Sequence, residues 1–122
     1  MKRILVVDDE IDICDFVKNF FEERNFEVLT AFGGVDAIRV IKKEKPCVVL
    51  LDIKMKDMDG IETLGKIRQF DKDVNVIMVT AVEDKDKMDA ARKLGARAYI
   101  TKPLILEELE AAVALYTKEV KK

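Results

Sequence analysis

A chain of 122 residues, 49% hydrophobic and 38% charged, is long enough for one core and too short for two. That hydrophobic share excludes disorder, and 22 basic against 24 acidic residues leave a formal net charge of −2, which favours neither nucleic acid nor an anionic membrane. The sequence has no basic stripe with interleaved aromatics, no membrane-spanning apolar run and no signal-peptide pattern, so a single cytoplasmic domain is expected.

In chain order, Ile4-Leu5-Val6-Val7 forms a strand beginning near Arg3 and runs into Asp8 and Asp9. Helical spacing follows from about Ile11 to Arg24, with Ile13, Val17, Phe20 and Phe21 facing inward. A second strand starts near Phe26 and alternates through Glu27. The next helix, Val35 to Glu44, turns Ala37, Ile38 and Ile41 inward and stops before Pro46. A third strand starts near Cys47 and carries Val48-Val49-Leu50-Leu51 into Asp52. Asp59-Gly60-Ile61-Glu62 then opens a helix in a capping-box-like pattern, with Ile61, Leu64 and Ile67 inward. The fourth strand, from near Val74, brings Val76-Ile77-Met78-Val79 to Thr80. A fourth helix runs from Asp84 to Leu94, terminated by Gly95, and its charged run Glu83 to Asp89 reads as a solvated face first and a partner surface second. The last strand, Ala98-Tyr99-Ile100-Thr101, closes on Lys102-Pro103. The fifth helix extends from Leu106 to about Lys118, with Leu106, Leu109, Val113 and Tyr116 inward.

Five strand–helix repeats predict an α/β fold, a parallel sheet with helices on both faces and right-handed crossovers. The uninterrupted apolar strands one, three and four belong in the centre, and the mixed strands two and five at the edges. This favours the order 2-1-3-4-5 of a single flavodoxin-like (βα)5 domain. Cys14 and Cys47 match neither metal-ligand spacing nor a disulfide framework, and read as reduced thiols packed as small apolar groups.

Ligands of open parallel sheets gather at the carboxyl ends of the strands, where Asp8, Asp9, Asp52, Thr80 and Lys102 all fall. Two carboxylates about 4 Å apart repel by about 4 kcal/mol at an effective dielectric near 20. Lys102 can offset one charge of three, so an all-oxygen site for Mg2+ or Mn2+ is expected. A carboxylate in such a site can attack phosphorus, which makes Asp52 a candidate nucleophile, with Lys102 and Thr80 neutralising phosphoryl oxygens. Ala81 is small and leaves room for the donor.

The set Asp8-Asp9, Asp52, Thr80-Ala81 and Lys102-Pro103, with Asp59-Gly60 and Leu94-Gly95-Ala96, resembles the receiver domain of bacterial two-component response regulators over essentially the whole chain. The resemblance implies that Asp52 accepts phosphate from a histidine kinase or histidine phosphotransfer protein, as a signalling phosphoacceptor rather than an enzyme. It implies Mg2+ on Asp8, Asp9, Asp52 and the backbone carbonyl of Lys54. It implies that Thr80 swings toward the phosphoryl group, that Tyr99 changes rotamer with it, and that Lys102-Pro103 is cis. Lys54 and Val82 fall at positions that tune acyl-phosphate lifetime. The expected output surface is the face of the fourth helix, fifth strand and fifth helix, where Leu115 and Ala111 leave apolar surface for a downstream protein. Neither nucleic acid nor membrane is an expected partner of this domain. Two residues depart from the family's pattern: Lys56 replaces a usual proline and Leu104 a common aromatic.

Taken singly, each residue has a plainer reading. Asp8-Asp9 and Asp52 could be capping acids, Thr80 a strand-end hydroxyl, Lys102 a solvated lysine and Pro103 a helix-start proline. Tyr99 reads equally as an edge-strand aromatic. Their joint occurrence at four strand ends is what points to a site. A flavin carrier needs a Ser/Thr/Gly loop after strand one to cradle phosphate, and Asp8-Asp9-Glu10 would repel it. An Asp-nucleophile phosphohydrolase would usually space two acids one residue apart after the first strand and would also need a cap over the site, and no insertion supplies one. A receiver-like scaffold that binds partners without phosphorylation is the alternative retained. One receiver domain is expected over residues 1–122 with no output module after Lys121-Lys122, either a stand-alone protein or a piece of a longer regulator.

Overall fold

The computed structural model describes residues 2–117. The expected end of the last helix at Lys118, and Lys121-Lys122, lie outside them. The chain alternates strictly: β1 (Lys2–Val7), α1 (Ile11–Glu22), β2 (Phe26–Ala31), α2 (Gly34–Glu44), β3 (Val48–Leu51), α3 (Gly60–Phe70), β4 (Asn75–Thr80), α4 (Lys85–Lys93), β5 (Ala98–Thr101) and α5 (Leu106–Thr117). The strands form one parallel sheet in the order β2-β1-β3-β4-β5, as the apolar runs require. β1, β3 and β4 lie in the middle, and the half-buried β5 forms one edge.

Side chains alternate across a strand, so each central strand feeds two cores. Leu5, Val7, Val49, Leu51, Val76 and Met78 pack under α2, α3 and α4. Their neighbours Ile4, Val6, Val48, Leu50, Ile77 and Val79 pack under α1 and α5, against Val17, Phe21, Leu109 and Val113. Cys14 is a free, buried thiol in this second core, as expected, and burial pushes its pKa up to about 12. Among the described residues no helix is long and apolar enough to cross a membrane.

Helix and strand ends differ from expectation by one or two residues. α1 stops at Glu22, short of Arg24, because Glu23 caps it and Asn25 turns left-handed at φ 67°. α2 begins at Gly34 and is ended by left-handed Lys45, one residue before Pro46. Asp84 and Leu94 are the caps of α4 rather than its first and last turns, and Gly95 takes φ 78°. β1, β3 and β4 start at Lys2, Val48 and Asn75 rather than at Arg3, Cys47 and Val74.

Register sets the depth of the site. Val7 pairs with Leu51, and Leu51 with Met78. Asp8 and Asp52 therefore emerge at one level, while β4 continues two residues, about 7 Å, farther to Thr80.

Candidate functional site

Three of the four ladders extend one hydrogen bond past a strand. Asp8 N donates to Ala31 O (3.1 Å), Asp52 N to Val7 O (3.0 Å) and Lys102 N to Thr80 O (2.8 Å). These bonds hold Asp8, Asp52 and Lys102 at the carboxyl ends of β1, β3 and β5, around one mouth. Asp9, Asp52, Lys54, Thr80, Ala81, Val82 and Lys102 line a single open cleft of about 490 Å³ there.

Lys102 is the centre of charge. Its Nζ donates to Asp8 Oδ2 at 2.7 Å and to Asp52 Oδ2 at 3.3 Å, with Glu10 Oε1 at 3.8 Å. Asp8 is 3% exposed and Asp52 5%, so the ion pairs are formed in a largely desolvated place. Burial disfavours the ammonium, but the hydrogen bond to Asp8 and the charges of Asp52 and Asp8 outweigh it and raise the Lys102 pKa. Burial also raises the Asp8 pKa, and the nearby Asp52 charge adds to it, against the lowering effect of Lys102 and the Glu10 amide. One ammonium is shared between two buried carboxylates, which leaves the site an excess of acidic groups in a donor set made wholly of oxygen. Such residues fit a hard divalent cation.

The acids are less gathered than the sequence suggests. Among the described residues, no three acidic or sulfur side chains converge into a ready metal cage. Asp9 lines the cleft but pairs with backbone, accepting the Lys56 amide on Oδ2 at 3.2 Å. Lys102 pairs with Asp8 and Asp52, and the Asp9 carboxylate is held by a backbone donor instead. Three contacts had no visible signal in the sequence: the Lys56 amide, Glu10 beside Lys102, and Asp57, whose carboxylate accepts the amides of Gly34 (3.0 Å) and Val35 (3.1 Å). Backbone donors leave no residue signature, and Asp57 caps a helix far from it in sequence.

Thr80 is fully buried, and its Oγ1 accepts from Val82 N at 3.3 Å. The Tyr99 hydroxyl donates to Val82 O at 2.6 Å, and burial raises its pKa. Val82 thus joins the two hydroxyls, a link between β4 and β5 that runs through backbone. The Lys102-Pro103 bond is cis.

Comparison with known proteins places this geometry. The sequence pattern of the response regulator receiver domain matches residues 4–114. The chain is 34% identical over 115 residues to sporulation initiation phosphotransferase F of Bacillus subtilis, covering 94% of this chain and 93% of that protein. It is 36% identical over 111 residues to the transcriptional regulatory protein PrrA of Mycobacterium tuberculosis, but covers only 48% of that longer protein against 91% of itself. Among solved structures, response regulator TrrA of Thermotoga maritima, in complex with Mg(2+)-BeF, superposes with a TM-score of 0.87. TrrA is 34% identical, and 95% of this chain and 99% of that one are covered. Sheet order and strand-end chemistry arrive at the same place as these likenesses: the chain belongs to the response regulator receiver domains of two-component signalling.

Proposed function

We infer that Asp52 is a phosphoacceptor that takes a phosphoryl group from the histidine of a kinase or phosphotransfer protein. One observation carries this reading. The Lys102 ammonium bridges the buried Asp8 and Asp52 carboxylates at 2.7 and 3.3 Å in an open cleft. An Asp52 oxygen attacks phosphorus, the bond to the donor's imidazole nitrogen breaks with its electron pair, and the ring takes a proton from solvent. The product is a mixed acyl-phosphate anhydride on Asp52.

Asp8, Asp9, Asp52 and the Lys54 carbonyl would hold Mg2+ or Mn2+, which when bound supplies positive charge to the phosphoryl oxygens. Lys102, already within reach of Asp52, exchanges part of its contact with Asp8 for the new anion. The Thr80 hydroxyl moves to donate to a phosphoryl oxygen, and that displacement draws it off the Val82 amide it accepts from here. Val82 also receives the Tyr99 hydroxyl, so its movement frees that ring to change rotamer. A change of charge at Asp52 thereby biases the face of α4, β5 and α5, where Ala111 and Leu115 are exposed, toward a downstream protein. Lys54 and Val82 line the same cleft and set how readily water reaches the acyl phosphate.

Incubation with acetyl phosphate and Mg2+, followed by intact-mass analysis, tests the reading. Wild type should gain one hydroxylamine-labile phosphoryl group and Asp52→Ala none. No gain on wild type, or a gain that persists in Asp52→Ala, would point to the phosphorylation-independent scaffold.

A further inference from the structure

The loop joining β3 to α3, residues 52–59, is held in a pattern that the phosphoacceptor reading does not use. Ile53 and Met55 point into the core, with 2% and 9% exposure. The amides of the residues that follow each of them face the site: Lys54 N donates to Asp52 Oδ1 (3.4 Å) and Lys56 N to Asp9 Oδ2 (3.2 Å). Asp57, next in the chain, faces outward and supplies the cap that α2 lacks. Its two oxygens accept Gly34 N and Val35 N, while Gly33, at the N-cap position, offers no side-chain acceptor.

Gly33 is shaped to this contact. Its φ is −172°, an extended conformation open to any residue, so backbone freedom does not explain it. Space does. A Cβ at position 33 would sit 2.7 to 2.9 Å from the Asp57 carboxylate atoms. The loop, the missing side chain and the exposed amides of α2 are thus complementary parts of one clasp.

We propose that Asp57 is a positioning residue for the cation site: by fastening the loop to the amino end of α2, it keeps the Lys56 amide against Asp9 and so orients the Asp9 carboxylate. This rests on the reading that Asp9 helps hold Mg2+. A Lys56 amide that bonds one Asp9 oxygen leaves the other free and limits the rotation of the carboxylate, as hydrogen bonds to ligating carboxylates do in metal sites generally. Loss of such a partner weakens metal affinity by roughly 10- to 100-fold.

Calorimetric titration with Mg2+ alone, with no phosphoryl donor, tests it. Asp57→Ala and Gly33→Ala, on different elements, should each weaken Mg2+ binding by roughly tenfold. The double variant should be no weaker than either one, because both break the same clasp. Asp71→Ala is the control for general loosening. It too removes a carboxylate that accepts two backbone amides, Asp73 N at 2.9 Å and Val74 N at 3.0 Å, but in the turn before β4, at the opposite end of the sheet. Its Mg2+ affinity should match wild type. Unchanged affinity in Asp57→Ala, or equal weakening in Asp71→Ala, overturns the proposal while leaving the phosphoacceptor reading intact. Wild type that binds no Mg2+ overturns both.

Discussion

The two loops that flank the Asp52 carboxylate are built in opposite ways. After β3, residues 52–59 bury Ile53 and Met55, give two amides to site carboxylates and run straight into α3, which buries Gly60, Thr63, Leu64 and Ile67. After β4, residues 81–84 are mostly exposed, and α4 buries only Ala91 among its nine residues. The proposed switch, which would hold charged groups in register and report their occupancy elsewhere, needs one stiff wall and one that moves at low cost. Apolar burial resists local opening, and α4 has little of it.

This contrast is open to direct attack. The largest effect is expected on the stiff side. Leu64→Ala, at a fully buried position of α3, should cost about 2–5 kcal/mol in urea unfolding, whereas Met88→Ala in α4, half-buried, should cost well under half as much. Equal costs would dissolve the distinction. Gly60→Ala comes next. A Cβ there would run into the carbonyl of Asp52 and the backbone of Ile53, neither of which can step aside. A loss of about 1–3 kcal/mol, together with slower phosphorylation by acetyl phosphate, is expected, and an unperturbed variant would mean that the loop is softer than it looks.

Helix caps give a finer comparison. Asp59 accepts Glu62 N at 2.8 Å, and Asp84 accepts Asp86 N at 2.8 Å and Lys87 N at 3.3 Å. Asp59→Ala should lower global stability by about 1 kcal/mol. Asp84→Ala should instead act mainly by raising hydrogen exchange within α4 and should lower the unfolding midpoint less, since α4 buries only Ala91.

The smallest effect is in the pH profile. The Val35 amide, and then the Gly34 amide, hold the Asp57 pKa below its ordinary value of 3.8. A folded value below the unfolded one contributes stability that is complete above the ordinary value and disappears as pH falls through the folded one. Wild type should therefore lose stability more steeply than Asp57→Asn as pH drops below 3.8. Parallel curves would remove Asp57 from the stiff wall.

Much of this was legible in the residues. Val48-Val49-Leu50-Leu51 and Val76-Ile77-Met78-Val79 can be little else than strands buried on both faces, and the acids and hydroxyl that follow them occupy the site because strand ends must. Lys102 was legible as a counter-charge for the same reason. The bend of Asp9 toward Lys56 was not, because pattern reading weighs side chains and the partner is an amide. The clasp of Asp57 on α2 escaped because helix caps are sought within a few residues of the helix, and this one comes from the next βα loop. Lys56, visible only as a departure from the usual proline, carries the N–H that proline lacks.

Everything depends on residues 8, 9, 52, 80 and 102 sharing one cation-holding hollow around Asp52. Paramagnetic broadening of backbone amide signals by substoichiometric Mn2+ tests that directly. Signals of residues 8–10, 52–56, 80–82 and 102 should fade first and together, and Asp52→Asn should demand much more Mn2+ for the same loss. Broadening spread evenly over the acidic surface, or centred on Asp71 and Asp73 at the far end of the sheet, would contradict it.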